Sequence, residues 1–264
     1  MKEQILSHIS AACPFRDTLH WYSTVESTNT LGKQLAQQGA PHGTVLIAGH
    51  QTGGRGRMGR SFHSPQGHGI YYSMILRPAC RAEELMHLTC AVGTAVCDAL
   101  EAVTGRRPGI KWINDLVLGK KKLGGILTEL SVAPDGSVNY AVIGIGINCS
   151  HSKKDFPPEL EDIATSLSIE GLASDKAALC GAITEALYKL SRDLLTEKAA
   201  IMQRYRRDCI TVGQHIVVLG SDSKRYGQAV SVNDDGSLVV EYPDGAKEAV
   251  SSGEVSVRGM YGYV

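Results

Sequence analysis

Gly53-Gly54-Arg55-Gly56-Arg57-Met58-Gly59-Arg60 sets three arginines among glycines. Glycine permits positive φ and lets backbone N–H groups approach a ligand, while the planar guanidinium suits phosphate or carboxylate oxygens. The stretch reads as an anion-gripping loop. Arginine-glycine runs also occur as solvated loops or disordered RNA-binding tails, but this one does not repeat and lies between strand-like apolar segments, 44–48 and 70–76. Lys111-Trp112-Ile113-Asn114-Asp115 puts a lysine, an amide and a carboxylate at a strand end, and taken alone also fits an Asn-Asp turn beside a core Trp112. Lys122, just ahead of Gly124 and Gly125, offers an ammonium to a ligand lying on bare backbone, whereas Lys120 and Lys121 read as solvated loop charges. Such an ammonium, beside a carboxylate and a phosphate, would stabilise the negative charge of acyl-phosphate formation, an electrostatic rather than a nucleophilic role. Gly144-Ile145-Gly146-Ile147-Asn148 leaves one strand face without side chains, as a ligand slot or the seat of a covering helix. It lacks the third glycine and the βαβ setting of a dinucleotide fingerprint, and no P-loop pattern is present.

The elements that must position these groups can be read from spacing. Ser27-Thr28-Asn29-Thr30 forms a polar N-cap cluster for a helix that stops near Gln38-Gly39. A helix is expected over 82–103, with Leu85, Leu88, Val92, Val96, Leu100 and Val103 on one face, and another from Ser174 or Asp175 to about 196. Short β-rich runs at 109–112, 116–118, 125–130 and 138–147, with a Pro134-Asp135-Gly136 turn between the last two, are antiparallel in character. From about Thr211 the pattern changes to short strands at 215–219, 226–232, 237–242, 247–250 and 255–257, separated by Asp-Gly turns, which suggests a small barrel. The domain boundary is expected near 209–213, giving units 1–210 and 211–264.

Bulk properties exclude several classes. The chain of 264 residues balances 27 basic against 27 acidic residues, so it carries no general electrostatic footprint for nucleic acid or a membrane surface. Seven scattered cysteines without a Cys-x-x-Cys pair suit reduced thiols in the cytoplasm, and nine histidines show no metal-ligand spacing. The N-terminus lacks the pattern of a secretion signal, and no uninterrupted apolar run approaches the length of a membrane span.

Taken in order, Ser27-Thr28-Asn29, Gln51 with Gly54-Arg55-Gly56-Arg57-Met58-Gly59-Arg60, Lys111-Trp112-Ile113-Asn114-Asp115, Lys122-Leu123-Gly124-Gly125-Ile126-Leu127, Gly144-Ile145-Gly146-Ile147-Asn148 and Gly253-Glu254-Val255-Ser256-Val257-Arg258 resemble the biotin protein ligases. The resemblance spans Trp21 to the C-terminus. It implies an α+β fold: a mixed β-sheet catalytic domain flanked by helices, class II synthetase-like and of biotin/lipoyl ligase type, then a small SH3-like β-barrel. It also implies two half-reactions, in which biotin and Mg-ATP give biotinyl-5′-AMP and pyrophosphate, and a lysine of a biotin carboxyl carrier domain then displaces AMP. By the same resemblance Ser27, Thr28, Asn29 and Gln51 surround the biotin head group, while Arg55, Gly56 and Arg57 fold over the adenylate and exclude water. Lys122 contacts carboxylate and α-phosphate beside Gly125, and Asn114 and Asp115 position Mg-ATP or the incoming lysine. Lys111, Trp112, Phe62 and Asn148 complete the nucleotide side. No protein-only metal site is implied; Mg2+ enters with ATP, with Asp115 as its candidate ligand.

Two positions depart from the family pattern: Ile113 stands where many members have proline, and Phe62 where tryptophan is common. Neither removes a charged or hydrogen-bonding group. Some twenty residues precede the Trp21 region, too few for the DNA-binding domain of the family's bifunctional branch, so a single-function ligase is expected. The resemblance implies a homodimer through a sheet edge in some members and a monomer in others. A lipoate or octanoate ligase is the nearest rival, disfavoured by the arginine loop and the C-terminal barrel. A non-enzymatic adaptor would leave Lys122 and Arg57 unexplained.

Overall fold

The computed structural model describes residues 1–173, 175–220, 224–252 and 256–259. The expected helix start at Ser174 and the stretch Gly253-Glu254-Val255 lie outside the described residues. After a short helix α1 (Lys2–Leu6), strands β1 (Leu19–Tyr22) and β2 (Thr44–Ala48) run parallel, joined through helix α2 (Thr28–Gln37). Strand β3 (Gly69–Leu76) is antiparallel to β2 and is followed by helix α3 (Leu88–Thr104). Strands β4 (Gly109–Lys111), β5 (Asp115–Leu118), β6 (Lys121–Val132) and β7 (Val138–Asn148) complete a mixed seven-stranded sheet of order β1-β2-β3-β7-β6-β5-β4.

The faces of this sheet follow from the alternation of β3. Tyr72 bonds Thr184 of helix α4 (Lys176–Asp193), whereas its neighbour Ser73 bonds Thr28 and Asn29 of α2 on the opposite side. Helices α3, α4 and α5 (Lys198–Asp208) therefore make one layer and α2 the other. Gly32 explains how α2 sits so low: a Cβ there would lie 3.0 Å from Val142 on β7. Ser27 caps α2 by accepting the Thr30 N–H, and Asp175 caps α4 through the N–H groups of Ala177 and Ala178.

The segment Ala82–Thr104 is apolar and long enough by composition to cross a membrane, yet 67% of its apolar 18-residue window is buried, as befits the central helix of a core. The expected single helix over 82–103 is interrupted at its start: residues 82–85 form a 3-10 turn before α3 begins.

The C-terminal strands β8 (His215–Leu219), β9 (Lys224–Val232), β10 (Leu238–Glu241), β11 (Lys247–Val250) and β12 (Ser256–Gly259) form an antiparallel sheet of order β11-β10-β9-β8-β12. Among the described residues no pairing of β11 with β12 closes it into a barrel.

Candidate active site

Register places the site. One row across the sheet reads Lys111, Asp115, Gly125, Gly146, Tyr71, and the next but one reads Leu127, Gly144, Ser73. Both rows face the α2 side, so the glycines make a strip of bare backbone flanked by a charged end and a hydroxyl end. A cleft of about 1390 Å³ lies over it. The strip is roofed rather than open: a Cβ on Gly144 would meet Asn29 Oδ1 at 2.2 Å, and one on Gly146 would meet the Phe62 ring at 2.6 Å. Gly125 is bare toward the charged end, where Asp115 Oδ1 and Lys122 Nζ lie 3.4 and 3.6 Å from the site of its missing Cβ. Gly124, expected to leave room for a ligand, instead packs on β7, since a Cβ there would come within 2.3 Å of the Gly146 carbonyl oxygen.

At the charged end Lys122 Nζ donates to Asp115 Oδ1 at 2.6 Å, both side chains being partly exposed to the cleft. The backbone of Lys122 is clamped on its other side, its N–H donating to Ile163 and its carbonyl accepting from Thr165. The arginine loop arches over this pair. Gly56 N–H donates to the Arg60 carbonyl at 2.7 Å and Phe62 N–H to the Gly54 carbonyl at 2.9 Å, which closes a narrow excursion with Met58 at its tip in the left-handed region (φ 55°). From this loop Arg57 Nη1 donates to Asn114 Oδ1 at 3.1 Å and Nη2 to the carbonyl of Ser252, while Asn114 Nδ2 donates to the Ile126 carbonyl. Burial pushes the Arg57 guanidinium below its ordinary value, and the nearby Asp115 carboxylate acts in the opposite sense.

At the hydroxyl end the side chains are mutually committed. Gln51 Oε1 accepts from the backbone N–H and the hydroxyl of Thr28, and Gln51 Nε2 donates to Ser64. Asn29 spends both amide protons on the Leu127 carbonyl and Glu129 Oε2, and its Oδ1 accepts from Ser73. Glu129 also pairs with Lys33 at 2.7 Å. What remains toward a ligand is the Ser27 hydroxyl proton, one Gln51 amide proton and one Asn29 lone pair, a set that suits a small group with both donors and acceptors. Ser73, Glu129, Lys33, Ser64 and Ser252 were not singled out from sequence. Ser73 had a signal, as the one aliphatic hydroxyl in the apolar run of β3.

Two expected nucleotide contacts are placed differently. Asn148 is buried, its amide donates to the Thr165 carbonyl, and it does not line the cleft. Trp112 borders the cleft, but its ring is buried and its indole N–H is spent on the Gly236 carbonyl at 2.9 Å, so it is a core anchor. The Trp112–Ile113 peptide bond is cis. Ser27, Thr28, Asn29, Gln51, Arg55, Gly56, Arg57, Phe62, Lys111, Asn114, Asp115, Lys122 and Gly125 do come together around the one cleft.

Comparison with known proteins identifies the family of this fold. Residues 21–148 match the model of the biotin/lipoate A/B protein ligase family, and 211–258 that of the biotin protein ligase C terminal domain. The bifunctional ligase/repressor BirA of Bacillus spizizenii is 37% identical over 236 residues, covering 89% of this chain and 72% of that protein. The biotin–[acetyl-CoA-carboxylase] ligase of Mycobacterium tuberculosis is 31% identical, covering 87% of this chain and 85% of that one. Among solved structures, Aquifex aeolicus biotin protein ligase in complex with biotin and ATP superposes with a TM-score of 0.72 at 30% identity, covering 91% of this chain and 98% of that one. The Leishmania major enzyme with biotinyl-5-AMP superposes with a TM-score of 0.61 at 25% identity, covering 89% and 98%. The fold and cleft define an adenylating ligase of the biotin/lipoate type. Within that class, the chain belongs to the biotin protein ligase family.

Proposed function

We propose that this chain is a biotin–[acetyl-CoA-carboxylase] ligase, attaching biotin to a lysine of a biotin carboxyl carrier domain at the expense of ATP. The observation that carries the reading is the Lys122–Asp115 pair, facing bare backbone at Gly125 and set between a closed arginine loop and a buried hydroxyl-amide pocket. In the first half-reaction a biotin carboxylate oxygen bonds to the α-phosphorus of ATP, the bond to the bridging oxygen breaks, and pyrophosphate leaves. Lys122, aimed along the strip, stabilises the charge on carboxylate and α-phosphate as that bond forms. In the second, the acceptor lysine amine bonds to the acyl carbon and AMP leaves with the anhydride oxygen. Asp115 stands where the proton released by that amine can be received.

The head group would lie against Ser27, Gln51 and Asn29, and Phe62, Arg55 and Arg57 would cover the nucleotide side. Magnesium would enter on the ATP phosphates. No group of three or more metal-ligating side chains exists among the described residues to hold it independently, and Asp115, paired with Lys122 in the cleft, is its candidate ligand. We also infer a division near residue 210 between the ligase domain and a small C-terminal unit, supported by the change from long helices to five short strands. The seven cysteines are free thiols, which supports a reducing, cytoplasmic setting. ATP–pyrophosphate exchange, offered biotin, lipoate and octanoate separately, tests the assignment without an acceptor. Exchange with biotin alone is expected, and exchange only with lipoate or octanoate would move the assignment to the sister activity.

A further inference from the structure

The cleft is far more cationic than the chain that forms it. The whole sequence balances 27 basic with 27 acidic residues. Nine arginines and lysines nevertheless line the cleft, against two carboxylates, Asp115 and Asp162. The inner cations have partners: Arg57 with Asn114, Lys122 with Asp115, and Arg107 with Asp98, Glu101 and Asp208. Three at the rim are less committed. Arg106 and Lys120 are exposed, and among the described residues their side chains make no hydrogen bond or ion pair, while Lys121 reaches only the Glu161 carbonyl.

Lys120 is also held in place at a cost. It sits at the tip of the β5–β6 hairpin with φ 67°, next to Gly119 with φ 53°. A two-residue turn of this kind needs positive φ at both positions, where glycine or asparagine is usual and a side chain with a longer stem is disfavoured. The Leu118–Lys121 pairing that the turn closes offsets this strain, and the turn leaves the Lys120 side chain exposed at the edge of the cleft. The turn is two residues from Lys122 and fixes Lys120 at the mouth of the site.

Biotin and ATP enter the cleft, but an acceptor is a folded domain that must deliver one lysine amine to the acyl carbon beside Lys122, and so must cover the mouth. A lysine approaching this many cations alone would be repelled. We infer that Arg106, Lys120 and Lys121 form the docking surface for the acceptor domain, and that they recognise carboxylates flanking its target lysine. This rests on the biotin-transfer reading above. Opposite charge at the rim steers the encounter and offsets the repulsion of the incoming ammonium.

The test is the Arg106→Glu/Lys120→Glu double variant, assayed with a purified biotin carboxyl carrier domain. Three quantities are read: ATP–pyrophosphate exchange with biotin, capture of the adenylate by hydroxylamine, and KM for the carrier domain at low and high salt. Exchange and hydroxylamine capture should match wild type, while KM for the carrier rises roughly 5–10-fold at low salt and converges with wild type at high salt. Lys120→Gln should give a smaller rise. An unmoved carrier KM with normal exchange overturns the docking surface alone. Loss of exchange in proportion to loss of transfer also overturns it, by assigning these cations to the nucleotide. Absence of biotin-dependent exchange in the wild type would overturn the ligase reading itself.

Discussion

A lysine that makes a 2.6 Å ion pair with a carboxylate is, in most proteins, a surface detail worth a fraction of a kcal/mol. Lys122 differs because of what surrounds it: bare backbone at Gly125 on one side and a backbone clamp to Ile163 and Thr165 on the other. The ammonium therefore has one direction in which to act, along the strip where the proposed function has carboxylate and phosphate meet. Lys122→Ala should reduce biotin-dependent pyrophosphate exchange about 10²–10³-fold, the scale of losing one preorganised electrostatic contact to a developing charge. Stability should hardly change, because Asp115 keeps access to water in the cleft. Exchange at the wild-type rate would remove Lys122 from the chemistry. The types and order of these residues were legible in the sequence because the chemistry needs particular functional groups. Their commitments were not: Asn29 has both its amide protons taken by Leu127 and Glu129, and no local pattern announces a partner one hundred positions away.

At the scale of elements, strands announced themselves where apolar runs met turn residues, as at 44–48 and 215–219, whose bounds the structure reproduces. What escaped was short or charge-masked. Strand β1 has four residues, one an exposed histidine, and α5 turns Ile201, Met202 and Tyr205 inward beneath a surface rich in arginine. The contact between α2 and β3 shows how elements rather than residues build the proposed head-group pocket. Ser73 is fully buried, and its hydroxyl serves both Thr28 and Asn29, so Ser73→Ala leaves acceptors on α2 without a donor. The expected cost is about 1–3 kcal/mol in stability. The KM for biotin should also rise while KM for ATP holds, and an equal rise in both would mean the pocket is not where it is placed here. The segment after β7 carries a second element-scale device. His151 is fully buried with both ring nitrogens unpartnered, stacked on Phe156 at 4.9 Å, and near His63, His68, Asp155 and Lys176. Burial, reinforced by His68 and His63, pushes its pKa down to about 4. The folded state thus binds fewer protons than the unfolded chain between about pH 6.5 and 4, so stability is full above that window and falls as pH drops through it. The urea midpoint should decline from pH 7 to 4.5 in the wild type and decline less in His151→Phe; identical slopes would sink the argument.

For the whole molecule the question is whether the C-terminal sheet is an appendage or part of the ligase. Its arrival was legible from the Asp234-Asp235-Gly236 and Pro243-Asp244-Gly245 turns, but its attachment was not, because the contacts cross long stretches of chain. The apolar core is continuous: Ile216, Val218, Leu238 and Val240 belong to the same buried cluster as α3 and the large sheet. Four polar ties reinforce it. Trp112 takes Thr211 on its backbone N–H and Gly236 on its indole, and Arg206 reaches the Val232 carbonyl and Asp234. Arg57 adds a fifth at Ser252, so the arginine loop is anchored to the C-terminal unit. The active-site turn at Trp112 is thus held from below by a β-turn more than one hundred residues away. Trp112→Phe keeps an aromatic ring but leaves the Gly236 carbonyl without its donor, which should cost about 1–3 kcal/mol. Because the core and these ties are shared, wild type and variant should each unfold in one calorimetric transition, the variant at lower temperature. Two resolved transitions in the wild type would make the C-terminal sheet a separate cooperative unit, and the anchoring of Arg57 through Ser252 would then have no bearing on how the loop closes.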